Sequence, residues 1–139
     1  MRDKSFLIKV KVKSKRAKTF IFTAQKTMYG GRGITAGDTV FIFDSETEGG
    51  SGLFARGTVA SAKAIPLKPG PKRQTPRVSI TVKRTALAKR PLGRSDLKSF
   101  SNWNDGQPET ELNFKFYRQA TNKIGGISNE AAAFLGKYF

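Results

Sequence analysis

MYGGRGITAGDTVFIFD, residues Met28 to Asp44, places four glycines and one arginine directly ahead of an apolar burst, Val40-Phe41-Ile42-Phe43. A glycine-rich run of this kind can cradle a phosphate, rim a ligand site, or simply turn the chain into a buried strand. The phosphate-loop reading fails, because the stretch contains no G-x-x-x-x-G-K-[ST] pattern. The dinucleotide glycine spacing is missing too, and no βαβ unit surrounds the run. What remains is a turn at Ala36-Gly37-Asp38 that feeds Thr39 to Phe43, a continuous apolar run typical of a strand covered on both faces. Gln25 to Asp38 then reads as a long loop with no strong period.

Strand signals extend in both directions from this point. Phe6, Ile8, Val10 and Val12 alternate with Lys9, Lys11 and Lys13, which predicts a half-buried strand over Phe6 to Lys13 with a basic outer face. Ser14 to Lys18 is a basic turn, and Thr19 to Ala24 (TFIFTA) is β-branched and aromatic, a second strand. After a polar connection over Asp44 to Gly52, Leu53 to Ala64 forms a hairpin with the apolar run. Gly57 marks a bulge or barrel corner within it. Ile65 to Pro76 is a proline-rich basic loop, and Arg77 to Thr85 alternates cleanly as a strand. Ser95 and Asp96 open a short helical turn through Phe100, and Ser101 to Glu109 is a polar loop around Trp103, the single tryptophan. Asn113 to Gln119 (NFKFYRQ) alternates as a further strand, with Asn122 to Gly126 a turn. Ser128 caps a short C-terminal helix that packs Phe134, Leu135 and Tyr138. The expected fold is mainly β with short helices (α+β): one domain over residues 1–139, a small barrel or pseudo-barrel of about six strands.

Composition narrows the function. The 139 residues include eleven Phe and are 37% hydrophobic, enough for a core. Cysteine and histidine are both absent. That removes disulfides, Cys/His metal sites and every triad or acid–base scheme that needs histidine. No metal site and no cofactor is expected. No apolar run reaches transmembrane length, and the charged, alternating N-terminal segment is unlike a signal peptide, so a soluble cytoplasmic protein is expected.

The charge is the loudest signal: 26 Lys+Arg against 10 Asp+Glu, a net +16. Such an excess points to a polyanion, with nucleic acid ahead of a membrane surface because no basic amphipathic helix is evident. It is also uneven. No acid occurs from Gly49 to Ser95, and Lys72, Arg73, Arg77, Lys83 and Arg84 are placed to follow a phosphate backbone. The alternative is that these residues only keep edge strands soluble.

Gly33-Ile34-x-x-Gly37-Asp38-x-Val40-Phe41-x-Phe43, then a polar loop, then Ala55-x-Gly57-x-Val59, resembles the PUA-like superfamily, with the EVE domain the nearest likeness. The strand at Arg77-Val78-x-Ile80, and Pro91-Leu92 followed by Asp96-Leu97, stand where the EVE pattern has a strand and a short Pro-Leu helix. The resemblance covers roughly Thr27 to Phe100. It implies a pseudo-barrel with a concave pocket that binds RNA or modified bases, lined by the loop before Gly37-Asp38. Tyr29, Gly31, Arg32 and Ser45 are the residues it points to.

A base pocket needs aromatic faces and polar groups for base edges. Trp103 and Tyr117 either pack in the core or join Tyr29 as those faces. Arg118, Asn122 and Lys123 join Arg32 as polar contacts. The glycines serve either turn geometry or close approach of a ligand. The leading expectation is a non-catalytic nucleic-acid-binding module, monomeric, favouring RNA or single-stranded segments over duplex DNA. Two other classes stand beside it: a small ligand-processing enzyme of the ASCH type, using Lys26 with Glu46 or Asp44, and a basic protein-interaction domain without a ligand pocket.

Overall fold

The computed structural model describes residues 5–10, 17–28, 31–44, 52–66, 77–90, 92–97, 99–100, 106–117 and 123–139, excepting the side chains of residues 28, 32, 94, 95 and 113–117. Among these residues lie strands β1 (Ser5–Val10), β2 (Thr19–Met28), β3 (Thr39–Asp44), β4 (Gly52–Ile65), β5 (Arg77–Leu87) and β6 (Lys123–Ile127). They close into a barrel in the order β1-β3-β4-β5-β2-β6. The β1–β3 and β2–β6 pairs are parallel; the other pairs are antiparallel. Gly31–Gly33 forms a single 3-10 turn between β2 and β3. Three helices complete the fold: α1 (Arg94–Leu97), α2 (Pro108–Tyr117) and α3 (Asn129–Gly136).

The strand period of two explains where the core sits, since alternate side chains point to opposite faces. Phe6, Ile8 and Val10 of β1 meet Val40, Ile42, Ala55, Val59, Val78, Ile80, Val82 and Ile124 inside the barrel. Leu7, Phe41, Phe43 and Leu53 point outward and are covered by Leu92, Leu97, Leu112, Ala131 and Leu135 from the helical segments. β3 is thus apolar on both faces because it stands between two cores, as its continuous run predicts.

The turn before β3 is built as its sequence suggests. Gly37 has φ +96°, which a Cβ would oppose, and its N–H donates to the Val59 carbonyl at 2.8 Å. The Asp38 carboxylate is buried and accepts from the Thr35 N–H at 2.8 Å. The β4–β5 register shifts between Arg56 and Gly57, at the expected bulge.

Three expectations are corrected. Asn113 to Gln119 is not a strand: residues up to Tyr117 belong to α2. Pro108 supplies a favourable first helical position, Glu109 and Glu111 suit the positive end of the helix, and Leu112 anchors it in the outer core. The apparent alternation of Phe and basic residues fits either period over so short a run. The sixth strand is instead Lys123–Ile127, where Gly125-Gly126 suggests a turn. Those glycines pair with Leu7 and Phe6 of β1, and Gly125 also pairs with Met28 of β2, so the segment is a strand in the middle of the barrel wall. β2 also runs four residues beyond Ala24. It continues through a bulge between Phe22 and Gln25, where Ala24 takes φ 50°. Its N–H donates to Ser79 Oγ at 2.9 Å and its carbonyl accepts from Arg77 Nη1 at 2.8 Å, so β5 side chains satisfy both backbone groups.

Candidate nucleic-acid interface

The strand register arranges cations that the sequence scatters. Arg77 of β5 pairs with Lys26 of β2, and Lys26 pairs with Lys123 of β6. Ile124 pairs with Ile8 of β1, so Lys123 and Lys9, one step further along each strand, continue the same line. All four point away from the barrel, because neighbouring Val78, Thr27, Ile124 and Ile8 are buried. Lys26 and Arg77 are exposed; Lys9 and Lys123 are half-buried. The 3-10 turn lies against this end of the barrel: a Cβ at Gly31 would sit 2.1 Å from the Ile124 carbonyl oxygen and 3.3 Å from Thr27 Cβ.

The acids among the described residues lie elsewhere. Among the six strands, β3 alone contains one, the buried Asp44. Asp38 closes the turn before β3, and Asp96 Oδ2 accepts from the Gly93 N–H at 2.9 Å at the start of α1. Glu111 on α2 accepts from both the backbone N–H (2.8 Å) and the hydroxyl (2.5 Å) of Ser128, whose Oγ in turn accepts from the Ala131 N–H at 3.1 Å as the N-cap of α3. Asp38, Asp96 and Glu111 thus close turns and helix starts. Cations on the helical side also have structural uses. The Arg56 guanidinium lies 4.9 Å from the Phe139 ring centroid and that of Arg90 4.6 Å from Tyr138, which pins the C-terminal residues onto the barrel.

The residues singled out by sequence separate into groups. Gly31, the backbone of Arg32, Arg77 and Lys123 come together at one barrel end. Lys83 and Arg84 lie at the other end of β5, about 20 Å from Arg77 at strand rise, and they fall on opposite faces of the strand. Lys83 is exposed on the face of Arg77, whereas Arg84 is half-buried on the face of Val82. They do not follow one line with Arg77. Tyr117 ends α2 rather than standing on a strand. Tyr29, Ser45, Lys72, Arg73, Trp103, Arg118 and Asn122 lie outside the described residues.

Lys26 and Lys9 join the cluster although sequence reading did not single them out as binding residues. The alternation in β1 already puts Lys9 on an outer face, but only the register reveals which strands flank it. The proposed pairing of Lys26 with Asp44 for chemistry has no geometric support: β6 and β1 separate their strands. Glu46 lies outside the described residues. Among the described residues no group of three or more acidic side chains is placed to share a metal ion, and no helix is long and apolar enough to cross a membrane.

Among the described residues, a closed barrel of six strands with a helical layer over β1 and β3 and a short C-terminal helix has the architecture of a PUA-like pseudo-barrel. No protein-family model matches the chain, and no curated protein matches it significantly by sequence. Solved structures do match its shape. Human THYN1 in complex with 5-methylcytosine containing DNA superposes with TM-score 0.67 at 18% identity, over 98% of this chain and 98% of that one. The DUF55 domain of human thymocyte nuclear protein 1 gives 0.66 at 18% identity, over 94% and 95%. A hypothetical protein from Leishmania major gives 0.64 at 18% identity, over 99% and 95%.

Proposed function

We propose that this chain is a non-catalytic nucleic-acid-binding module. The observation that carries this reading is the segregation of charge: five of the six strands hold cations or neutral residues and no acid, while Asp38, Asp96 and Glu111 are committed to turns and caps. A wall of this kind attracts a polyanion along its whole length. The shared fold supports the same reading, since human THYN1, of similar shape, has been seen in complex with 5-methylcytosine containing DNA. The targets are single-stranded segments or modified bases, with RNA favoured over duplex DNA. Tyr29, Arg32, Trp103, Arg118 and Asn122 are the residues assigned to base contacts, and Lys72 and Arg73 those assigned to phosphates.

Fluorescence anisotropy with labelled single-stranded RNA, single-stranded DNA and duplex DNA, the last with and without 5-methylcytosine, tests this directly. Binding that persists at physiological salt and ranks the four probes is the expected result. Equal, weak binding that vanishes for all four as salt rises overturns it and leaves a generic polyanion surface.

A further inference from the structure

Three consecutive cross-strand neighbours in one wall of the barrel carry like charge: Arg77 beside Lys26, Lys26 beside Lys123, Lys123 beside Lys9. Like charges directly opposite each other destabilise a sheet. No acid lies on any of the four strands involved. Repulsion of this kind among Arg77, Lys26 and Lys123 is offset if an anion occupies the row.

We propose that this row is the track of a single phosphodiester backbone, which crosses β5, β2, β6 and β1 at right angles to the strands. The proposal rests on the nucleic-acid reading above and deepens it by naming the contact line. Neighbouring strands stand about 4.8 Å apart, so the row spans about 14 Å over its three intervals. The row is therefore long enough to meet several successive phosphates of one backbone. The cations stand in single file, which matches one backbone. A duplex presents two backbones across a groove about 12 Å wide in the major groove, and would need a second row. The hydrogen bond from Arg77 to the Ala24 carbonyl holds the guanidinium at the head of the line, which lowers the entropy lost when it meets a phosphate. At its other end the row stops at Lys9, whose neighbour across the sheet, Phe43 of β3, lies beneath the helical layer.

The test compares the wild-type chain with Lys26→Glu/Lys123→Glu and with a control of equal charge change, Lys89→Glu/Lys137→Glu. Both control residues are exposed and lie off the row. Labelled single-stranded RNA, the matching single-stranded DNA and a duplex of the same sequence are titrated between ~50 and ~200 mM salt. The row variant is expected to bind the single strands roughly tenfold or more weakly. Its plot of log affinity against log salt should be shallower by about 1.4, the contribution of two phosphate contacts. The control should stay close to wild type, and the row variant should melt no lower than wild type because repulsion has been relieved. A Lys26→Gln/Lys123→Gln pair keeps the test valid if the charge reversal impairs folding. Equal weakening in the row and control variants overturns the track while leaving nucleic-acid binding standing. A duplex whose salt slope exceeds that of the single strands by more than the ratio of about 0.9 to about 0.7 expected for equal numbers of contacts overturns the single-backbone geometry. A wild-type chain that binds none of the probes overturns the functional reading itself.

Discussion

Gly31 distinguishes a glycine that lets two pieces of backbone meet from a glycine that admits a ligand. A Cβ placed there would lie 2.1 Å from the Ile124 carbonyl oxygen and 2.9 Å from its carbon. A carbon–oxygen contact is comfortable near ~3.3 Å, so Gly31→Ala requires a shift of about 1.2 Å. β6 is poorly placed to yield, because Ile124 is paired with Ile8 on one side and Thr27 on the other. The 3-10 turn must therefore move outward, and overpacking of this kind costs about 1–3 kcal/mol. For a chain of this length each kcal/mol lowers Tm by roughly 4 °C, so the variant should melt about 4–12 °C below wild type. Circular dichroism melts and urea titration measure both quantities. Gly136→Ala is the internal control: nothing lies within 4 Å of its added carbon, and alanine's helix propensity should leave it equal to or up to ~1 kcal/mol more stable than wild type. If Gly31→Ala melts with wild type yet loses affinity for nucleic acid, close packing is not the reason for this glycine, and close approach of a ligand is.

Ala24→Gly should stabilise the fold by up to about 1 kcal/mol, because alanine at φ 50° bears a left-handed strain that glycine lacks; unchanged or lower stability in urea counts against the strain. Glu111→Gln replaces one acceptor oxygen with a donor at the Ser128 clamp and removes a negative charge near the start of α3. It should cost about 1–3 kcal/mol, and a melt indistinguishable from wild type would show that the clamp contributes nothing. The free protein, with net charge +16, should melt at higher temperature as sodium chloride rises from ~10 to ~150 mM, because the Debye length falls from about 30 to about 8 Å and screens the repulsion between its cations. A Tm that falls over that range is the contrary result.

What the sequence disclosed depended on how local each determinant is. The Gly37-Asp38 turn, the doubly covered β3, the Gly57 bulge and the Ser128 cap each depend on a few adjacent residues, and each stands where the local chemistry puts it. α2 and β6 were misread because their evidence is not local. The glycines of β6 reflect neighbours that arrive from β1 and β2, and α2 is fixed by Leu112 meeting an outer core assembled from distant segments. The candidate interface follows the same rule. Net charge was legible at once, and so was the outer face of β1. That Lys9, Lys26, Arg77 and Lys123 form one line could not be read, since residues from four separate segments become neighbours only when the barrel closes. The grouping of Lys83 and Arg84 with Arg77 fails for the converse reason: they are close in sequence, but the rise along β5 carries them to the far end.

The same closure explains how a chain so basic keeps a compact fold. Asp38, Asp96 and Glu111 accept backbone N–H groups at turns and helix starts, where a negative acceptor forms a charge-assisted bond. Arg56 and Arg90 spend their charge on aromatic rings over the C-terminal residues. The two cores then hold strands whose exposed charges repel, because burial of β1 and β3 on both faces supplies stability that needs no contribution from those charges. Packing and the proposed binding are therefore assigned to opposite faces of the same strands: Ile8 and Ile124 hold the barrel from inside, while Lys9 and Lys123, their immediate neighbours, face outward. A substitution on the outer row can change affinity with little effect on the fold, whereas one on the inner row changes both. That separation makes the charge-reversal experiment interpretable.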